Sequence, residues 1–414
     1  RNYHKEGFEL TIGNERVKVQ RNPQTRIVFT GNFDSPECND IEDELASHCN
    51  IAWFAPMTGE DLTTLLQNWL PTYDPELVSL AGTFHADVVA KSINRELRGN
   101  HSLSIRNVEK LKERVTLYTD QDPNFAIARA VREVYLDHVD HPDDRAKLEE
   151  AFEAVFQIAP NDTIPDDSFY TFEVGDSAIR FGDVTFPVGP GGAKSIEGMT
   201  LDVGGIEDWP ILADLDLKKA VYAILKAWSV NETPHLVGPD ESDKNIAIRV
   251  AAEMTGWTPV EKGFNSQTQL PELLSTTTLR VDPSTGQNVT ADVDGSITAR
   301  VRSEAGAECI LLMRNFDDAL PSLQGGLHEV FERDRAFRLP SGEMVNMSPQ
   351  FHAATTSKVA PGDAHKLTSA MDNRLSTYRM APVSEEKAVA RLEHAASSWL
   401  KGDLGASVAR GIAR

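Results

Sequence analysis

The chain has 414 residues, with 41 Lys and Arg against 63 Asp and Glu, giving a formal net charge of −22 at pH 7. That balance argues against a broad nucleic-acid surface, which needs clustered cations to neutralise phosphates, and the lack of any run of about 18 apolar residues argues against a membrane-spanning helix. A 40% apolar content supplies core for two or three domains, and three cysteines without a close ligand pair, Cys38, Cys49 and Cys309, fit a reducing, cytoplasmic setting better than a zinc site.

Residues 8–31 read as a hairpin followed by a covered strand. Phe8 and Leu10 lead to the turn pair Gly13-Asn14, Val17 and Val19 alternate with charged neighbours, and Ile27-Val28-Phe29 form a continuous apolar run. From 58 to 156 the periodicity is helical. Thr58 or Gly59 caps a helix carrying Leu62, Leu65 and Leu66, and Asp74 precedes a longer one through Val88 and Val89. Ser102 or Ser104 starts a third, with Val108, Leu111 and Val115, and two more cover Phe125 to Tyr135 and Arg145 to Phe156. The cluster Asp137, His138, Asp140, His141 straddles a helix end before Pro142 and reads as capping and surface charge rather than a metal site. Glu149, Glu150 and Glu153 read as a solvated helix face.

Farther on, Phe172, Val174, Ile179, Phe181, Val184 and Phe186 among glycines and aspartates predict a small β insertion at about 170–205, with Gly189 to Gly192 as a loop. A helix from Leu217 to Trp228 leads into the strand His235-Leu236-Val237. A helix over 246–255, a β-rich polar stretch over 264–300 and the apolar run Ile310 to Met313 follow. Strands alternating with helices predict a three-layer, mostly parallel α/β sheet.

One pattern occurs twice. Residues 22–57 align with 348–383 without a gap, placing Pro23 on Pro349, Gln24 on Gln350, Thr30 on Thr356, Ala55 on Ala381 and Pro56 on Pro382, with Glu60 on Glu386 and Leu66 on Leu392 beyond. A period of several hundred residues means duplicated domains, not short repeats. The chain is expected to be a segment of a longer protein, holding the back half of one module and most of another.

The loop after Val237 reads Gly238-Pro239-Asp240-Glu241-Ser242-Asp243-Lys244-Asn245, between a strand and an amphipathic helix bearing Ile246, Val250 and Met254. A phosphate-binding loop belongs there, with glycines to bring N–H groups to the phosphates, a Lys for the β/γ oxygens and a hydroxyl for Mg²⁺. Gly238 and Lys244 are in place. Glu241 and Asp243 stand where inner glycines are needed, and Asn245 stands for the hydroxyl. The strand Ile310 to Met313 should end in two acids that hold the metal and polarise water, and has Arg314 and Asn315.

With these blocks the chain resembles AAA+ ATPases of the MoxR, midasin and dynein-related branch, over nearly its whole length. Asn265-Ser266-Gln267-Thr268 is similar to the branch's "Q-T-d" segment and Asp294-Gly295 to its "D-G-p-l" segment. Phe316 to Val330, with Ala319, Leu323, Gln324 and Leu327, resembles the helix after the acidic strand, and Phe337 to Val345 with Gly342 the following hairpin. Phe351 to Lys358 resembles the sensor strand, with Lys358 where its Asn belongs, and Asn373-Arg374-Leu375 the "n-R-f" that supplies a finger to a neighbouring subunit. In the first copy, Phe29-Thr30-Gly31-Asn32 keeps the sensor Asn32, His48 replaces the finger, and Arg106 in Leu103-Ser104-Ile105-Arg106 resembles the lid residue that contacts a γ-phosphate.

The resemblance implies a tandem P-loop NTPase core with all-α lids. Residues 1–57 end a first core, 58–156 form its lid, 157–383 form a second core, and 384–414 begin the second lid. It implies ATP and Mg²⁺ as cofactors, ATP-driven remodelling of a protein partner, and neighbouring AAA+ modules in a ring or pseudo-ring. The second module departs at its loop, its acid pair and Lys358. Two carboxylates beside a triphosphate would each cost on the order of 4 kcal/mol at an effective dielectric near 20. That module is expected to be nucleotide-poor and structural. The alternative is a non-catalytic scaffold built on the same fold, and static ATP binding by Lys244 and Arg374 is a further rival.

Overall fold

The computed structural model describes residues 8–12, 15–19, 50, 52, 57–97, 105–118, 121–137, 139, 141–203, 206–240, 242–281, 284, 286–303, 309–359 and 367–399. The chain divides into two compact units, Arg1–Pro56 and Met57–Arg414. In the first, β1 (Phe8–Ile12) pairs antiparallel with β2 (Glu15–Val19), the expected hairpin. The strand expected at 27–29 lies outside the described residues, as does the first copy of the repeat over 20–49.

The second unit opens with five helices, each started by the chemistry its sequence supplies. α1 (Gly59–Trp69) begins with a capping box, in which Thr58 Oγ1 accepts from the Asp61 N–H and Asp61 Oδ2 accepts from the Thr58 N–H. α2 (Pro75–Ile93) and α4 (Pro123–Tyr135) follow Asp74 and Asp122, which accept N–H groups of the first turn, with proline at the first helical position of each. α3 (Ile105–Leu117) lies between them, and α5 (Pro142–Phe156) is capped by His141. Their apolar faces close a core of Leu66, Phe84, Leu111, Val115, Ile127, Val131 and Phe152.

Next comes the β insertion, a three-stranded meander β3 (Phe172–Val174), β4 (Ala178–Phe181) and β5 (Val184–Pro187) followed by the ribbon β6 (Thr200–Val203) and β7 (Ile206–Pro210). α6 (Leu215–Ser229) then enters the central sheet. That sheet has five parallel strands: β8 (Thr233–Gly238), β9 (Thr258–Gly263), β12 (Cys309–Arg314), β15 (His352–Lys358) and β16 (Leu375–Arg379), in spatial order β16-β8-β15-β12-β9. β8 is buried throughout, and β12 and β15 are buried except at their last residues, which is why these strands read as mostly small and apolar runs, interrupted by the buried His235 and His352. α6 and α7 (Lys244–Thr255) pack on one face with Ile310, Leu312 and Leu236, and Leu311, Met313, Phe316 and Phe331 fill the other. The predicted α/β parallel sheet is present.

Two stretches differ from the sequence reading. The polar segment 264–300 is not all β: α8 (Leu270–Leu273) precedes an exposed hairpin, β10 (Ser275–Val281) with β11 (Asn288–Asp294), and α9 (Ser296–Arg302) follows. Phe316 to Val330 is no single helix. Asn315 takes φ 56°, Pro321 restarts the chain, and only α10 (Pro321–Gly326) is α-helical between two 3₁₀ turns. β13 (Ala336–Arg338) and β14 (Met344–Asn346) make the hairpin around Gly342. The short α11 (Ser369–Asp372) precedes β16, and α12 (Glu385–Trp399) closes the described chain.

Candidate functional site

The connections leaving β8 and β15 run in opposite directions, β8 toward β9 at one edge and β15 past β8 to β16 at the other. Ligands of open parallel sheets bind where such connections diverge, beyond the carboxyl ends of the strands. Register brings Lys358 beside Gly238 and Arg314 beside Gly263. This end of the sheet therefore gathers Pro239, Asp240, Ser242, Asp243, Lys358, Arg314 and Asn315.

Lys244, the first residue of α7, is only 4% exposed. Its ammonium folds back on the loop, donating to the Gly238 carbonyl at 2.7 Å, to the Pro239 carbonyl and to Ser242 Oγ at 2.8 Å. The loop offers carbonyl oxygens to its own lysine. The glycine at 238 also has a local reason, since a Cβ there would stand 2.5 Å from the Met380 carbonyl of the neighbouring strand's exit.

The acids of the loop are matched to cations. Asp243 pairs with Lys387 at 2.7 Å and with Arg391, both on α12, and Lys387 also holds Asp214 at 2.6 Å. Asp240 pairs with Lys358 at 3.1 Å, both half-exposed. Glu241 lies outside the described residues. The Asp243 carboxylate, expected to weigh against a triphosphate at this loop, is committed to α12.

At the ends of β12 and β15, beside the start of α7, two amides and a hydroxyl lie together. Thr356 Oγ1 donates to Asn245 Oδ1 at 3.2 Å and accepts the Asn315 N–H at 3.4 Å. Arg314 turns to Glu261 at 3.3 Å. Asp317 is buried and takes the Lys358 N–H on both carboxylate oxygens, with burial pushing its carboxyl up. Mg²⁺ binds through carboxylates and substrate phosphates, and an amide beside a hydroxyl does not fit it. Among the described residues no group of three or more His, Cys, Asp or Glu could hold a metal ion.

The two arginines singled out in the sequence meet. Arg106 on α3 donates Nη2 to Glu332 Oε1 at 2.9 Å, and Arg374 donates Nε and Nη2 to the same oxygen at 2.9 and 2.8 Å. Arg374 Nη1 also reaches the Ala370 carbonyl, and burial pulls this guanidinium below its usual value, with Glu332 opposing. Asn32 and His48 lie outside the described residues. In the 137–141 cluster, His141 Nδ1 accepts the Asp143 N–H as a helix cap and Asp137 holds Arg132 at 2.9 Å, while His138 and Asp140 lie outside the described residues.

No protein-family model matches the chain, and no curated protein matches it.

The densest charge in the structure lies elsewhere. Glu133 on α4 accepts from Lys226 at 2.8 Å, Arg129 at 3.2 Å and the Tyr118 hydroxyl at 2.5 Å, with Arg132 and Arg114 at 3.5 and 3.8 Å. Arg129, fully buried, stacks 4.1 Å over the Tyr118 ring and donates to Asp183 at 3.0 Å and the Tyr222 hydroxyl at 2.6 Å. Arg114 reaches across to Glu232 at the start of β8 at 2.6 Å, and Arg333 joins Glu232 at 3.2 Å and Glu113 at 2.5 Å. Burial lifts the Glu133 carboxyl, but Lys226, Arg129, Arg132 and Arg114 outweigh it and hold the group well below the carboxylate range. Burial in turn lowers Lys226 to about 8. These ties join helices α3 and α4 to α6 and the sheet. Sequence reasoning missed them, and the available signal was Arg129 inside Ala126-Ile127-Ala128-Arg129-Ala130-Val131, a charge flanked by core residues with Glu133 one turn on.

Proposed function

We propose that the chain belongs to a tandem AAA+-type protein whose ATP-driven cycle remodels a protein partner, and that its second core is a nucleotide-poor structural module in a ring or pseudo-ring. Support for the fold comes from five parallel strands with the phosphate-type loop leaving an interior strand at a switch point. The observation that carries the structural role is Lys244. Its ammonium is satisfied by the carbonyls of its own loop, and Asp243 fastens that loop to α12. A triphosphate entering here would have to strip the lysine from its carbonyls without an acid pair or a Mg²⁺ donor set to offset the loss.

Calorimetry with Mg·ATP, run on the chain and on Lys244→Ala, tests this. The expected result is no heat beyond dilution for either, together with a stability loss of about 1–2 kcal/mol for Lys244→Ala, because the charge-assisted bonds are lost while the Gly238 and Pro239 carbonyls keep the Val359 N–H and the Ser242 N–H and hydroxyl. A saturable heat that disappears with Lys244→Ala, at unchanged stability, overturns the structural role. The same lysine favours a second reading, a scaffold with no ATP chemistry anywhere, and complete absence of ATP turnover by the whole protein would select it.

A further inference from the structure

We propose that the small polar chamber between α3 and β16 binds one monovalent anion of halide size, with chloride as its ligand, and that this ion helps to hold the helical bundle against the sheet. The site lies away from the loop at the end of β8 and is independent of how that loop is read.

The chamber has a volume of about 40 Å³. α3 supplies Lys110 and Arg114, α4 supplies Glu133, α11 ends in Asp372, and β16 supplies Ser376 and Thr377. A buried water needs roughly 10–15 Å³ of such space. One halide ion with a companion water fits, and a nucleotide does not.

Several donors in this wall lack acceptors. Arg114 is 4% exposed, and its Nη2 donates to Glu232 at 2.6 Å and to Ser376 Oγ at 2.8 Å. Its Nη1 is buried and has no hydrogen-bond partner among the described residues, a costly state for a charged donor. The Lys110 ammonium carries three donors. Among the described residues its one hydrogen-bond acceptor is the Leu375 carbonyl, at 2.6 Å. Ser376 Oγ accepts from Arg114 and keeps its own proton to give.

The acceptors of the same wall are engaged. The Leu375 carbonyl takes Lys110, Asp372 takes the Thr377 hydroxyl at 3.5 Å, and Glu133 takes Lys226, Arg129 and Tyr118. A water would bring two protons that need acceptors, whereas a halide only accepts. Charge points the same way. Glu232 and Asp372 support the Lys110 ammonium, Arg114 and Arg333 act against it, and burial lowers it. Glu133 and Asp372, both in the wall, would repel a doubly charged anion more strongly than a singly charged one. An ion touching Lys110, Arg114 and Ser376 would bridge the bundle to the edge strand of the sheet.

Urea unfolding of the 414-residue chain at constant ionic strength, with chloride exchanged for the bulkier gluconate, tests the site. At about nine times its dissociation constant, chloride should lower the apparent unfolding constant about tenfold. Lys110→Met should reduce that dependence to less than about twofold. Lys112→Met, on the same helix but over the Trp69 ring and outside the chamber, should keep it in full. An unsubstituted chain indifferent to chloride overturns the site, and so does an undiminished response in Lys110→Met. Anomalous diffraction from crystals of the unsubstituted chain soaked in bromide needs no variant to fold. A bromide peak in contact with Lys110 Nζ and Arg114 Nη1 is the expected result, and water alone at that place rejects the proposal.

Discussion

The loop at the end of β8 and the junction between the helical bundle and the sheet both concentrate charge, but they spend it differently. At the loop, the partners of each group are few: Lys244 holds the carbonyls five and six residues back, Asp240 pairs with Lys358 on the adjacent strand, and Asp243 with Lys387 and Arg391 on one helix. At the junction, one carboxylate, Glu133, collects Lys226 and three arginines from three helices, and Arg114 also reaches Glu232 at the start of β8. Desolvating such ions costs several kcal/mol each unless every one is paired, so the network tolerates one relative placement of bundle and sheet. The loop is fastened to a single helix, and the junction ties the helical bundle to the sheet.

Neutralising the hub of the junction should have the largest effect. Glu133→Gln leaves Lys226 and three arginines short of a buried anion, and removing one partner of a buried ion pair costs about 3–5 kcal/mol. Denaturant unfolding at pH 7 measures it. A loss below 1 kcal/mol would place the junction with ordinary surface pairs and end the contrast.

Acid separates the regions by pH window. His85 and His352 are buried and neutral, lowered by burial from 6.5 to about 4 and about 3. His352 stands among the rings of Phe186, Trp228 and Trp257. Below pH 6.5 the unfolded chain takes up protons that the folded chain refuses, so stability falls with pH by roughly 2 kcal/mol apiece at pH 5. Glu133 is depressed from 4.5, so its contribution is complete above that value and is lost only as pH falls below it. His352→Phe should therefore flatten the slope between pH 6.5 and 5, and Glu133→Gln should flatten it below 4.5. A Glu133→Gln chain that keeps the full slope below pH 4.5 would contradict the assignment.

The sequence made the parallel sheet legible because β8, β12 and β15 are buried and must be small or apolar nearly throughout, and it made the helix starts legible because Thr58, Asp74 and Asp122 cap them in cis. It predicted a strand–loop–helix connection through Gly238 and Lys244, and the chain has one between β8 and α7. It could not show that Lys244 turns back on its own loop, which depends on the loop's conformation, or that Asp243 faces α12, whose cations lie about 140 residues on. Nor could it show the junction. Arg129 and Glu133 one turn apart read as an exposed helical ion pair, and only tertiary packing places Tyr222, Lys226 and Asp183 around them. The broken stretch after β12 was misread for the opposite reason: Ala319, Leu323 and Leu327 have helical spacing, yet Asn315 in the left-handed region and Pro321 interrupt the backbone.

The smallest expected effect concerns Asp243. Its side chain and that of Lys387 are 4% and 8% exposed, so the pair is not a surface ornament, but Lys387 keeps Asp214 at 2.6 Å when Asp243 is neutralised. Asp243→Asn also retains the shape and one acceptor for Arg391. The loss should therefore be about 1–2 kcal/mol, the value of charge-assisted hydrogen bonds rather than of a stranded ion. Hydrogen exchange locates it: amides of 385–396 should exchange faster while those of 123–135 stay unchanged, and Glu133→Gln should give the reverse. If Asp243→Asn instead loosens both segments, the loop and the junction unfold as one unit, and the division of labour between them is wrong.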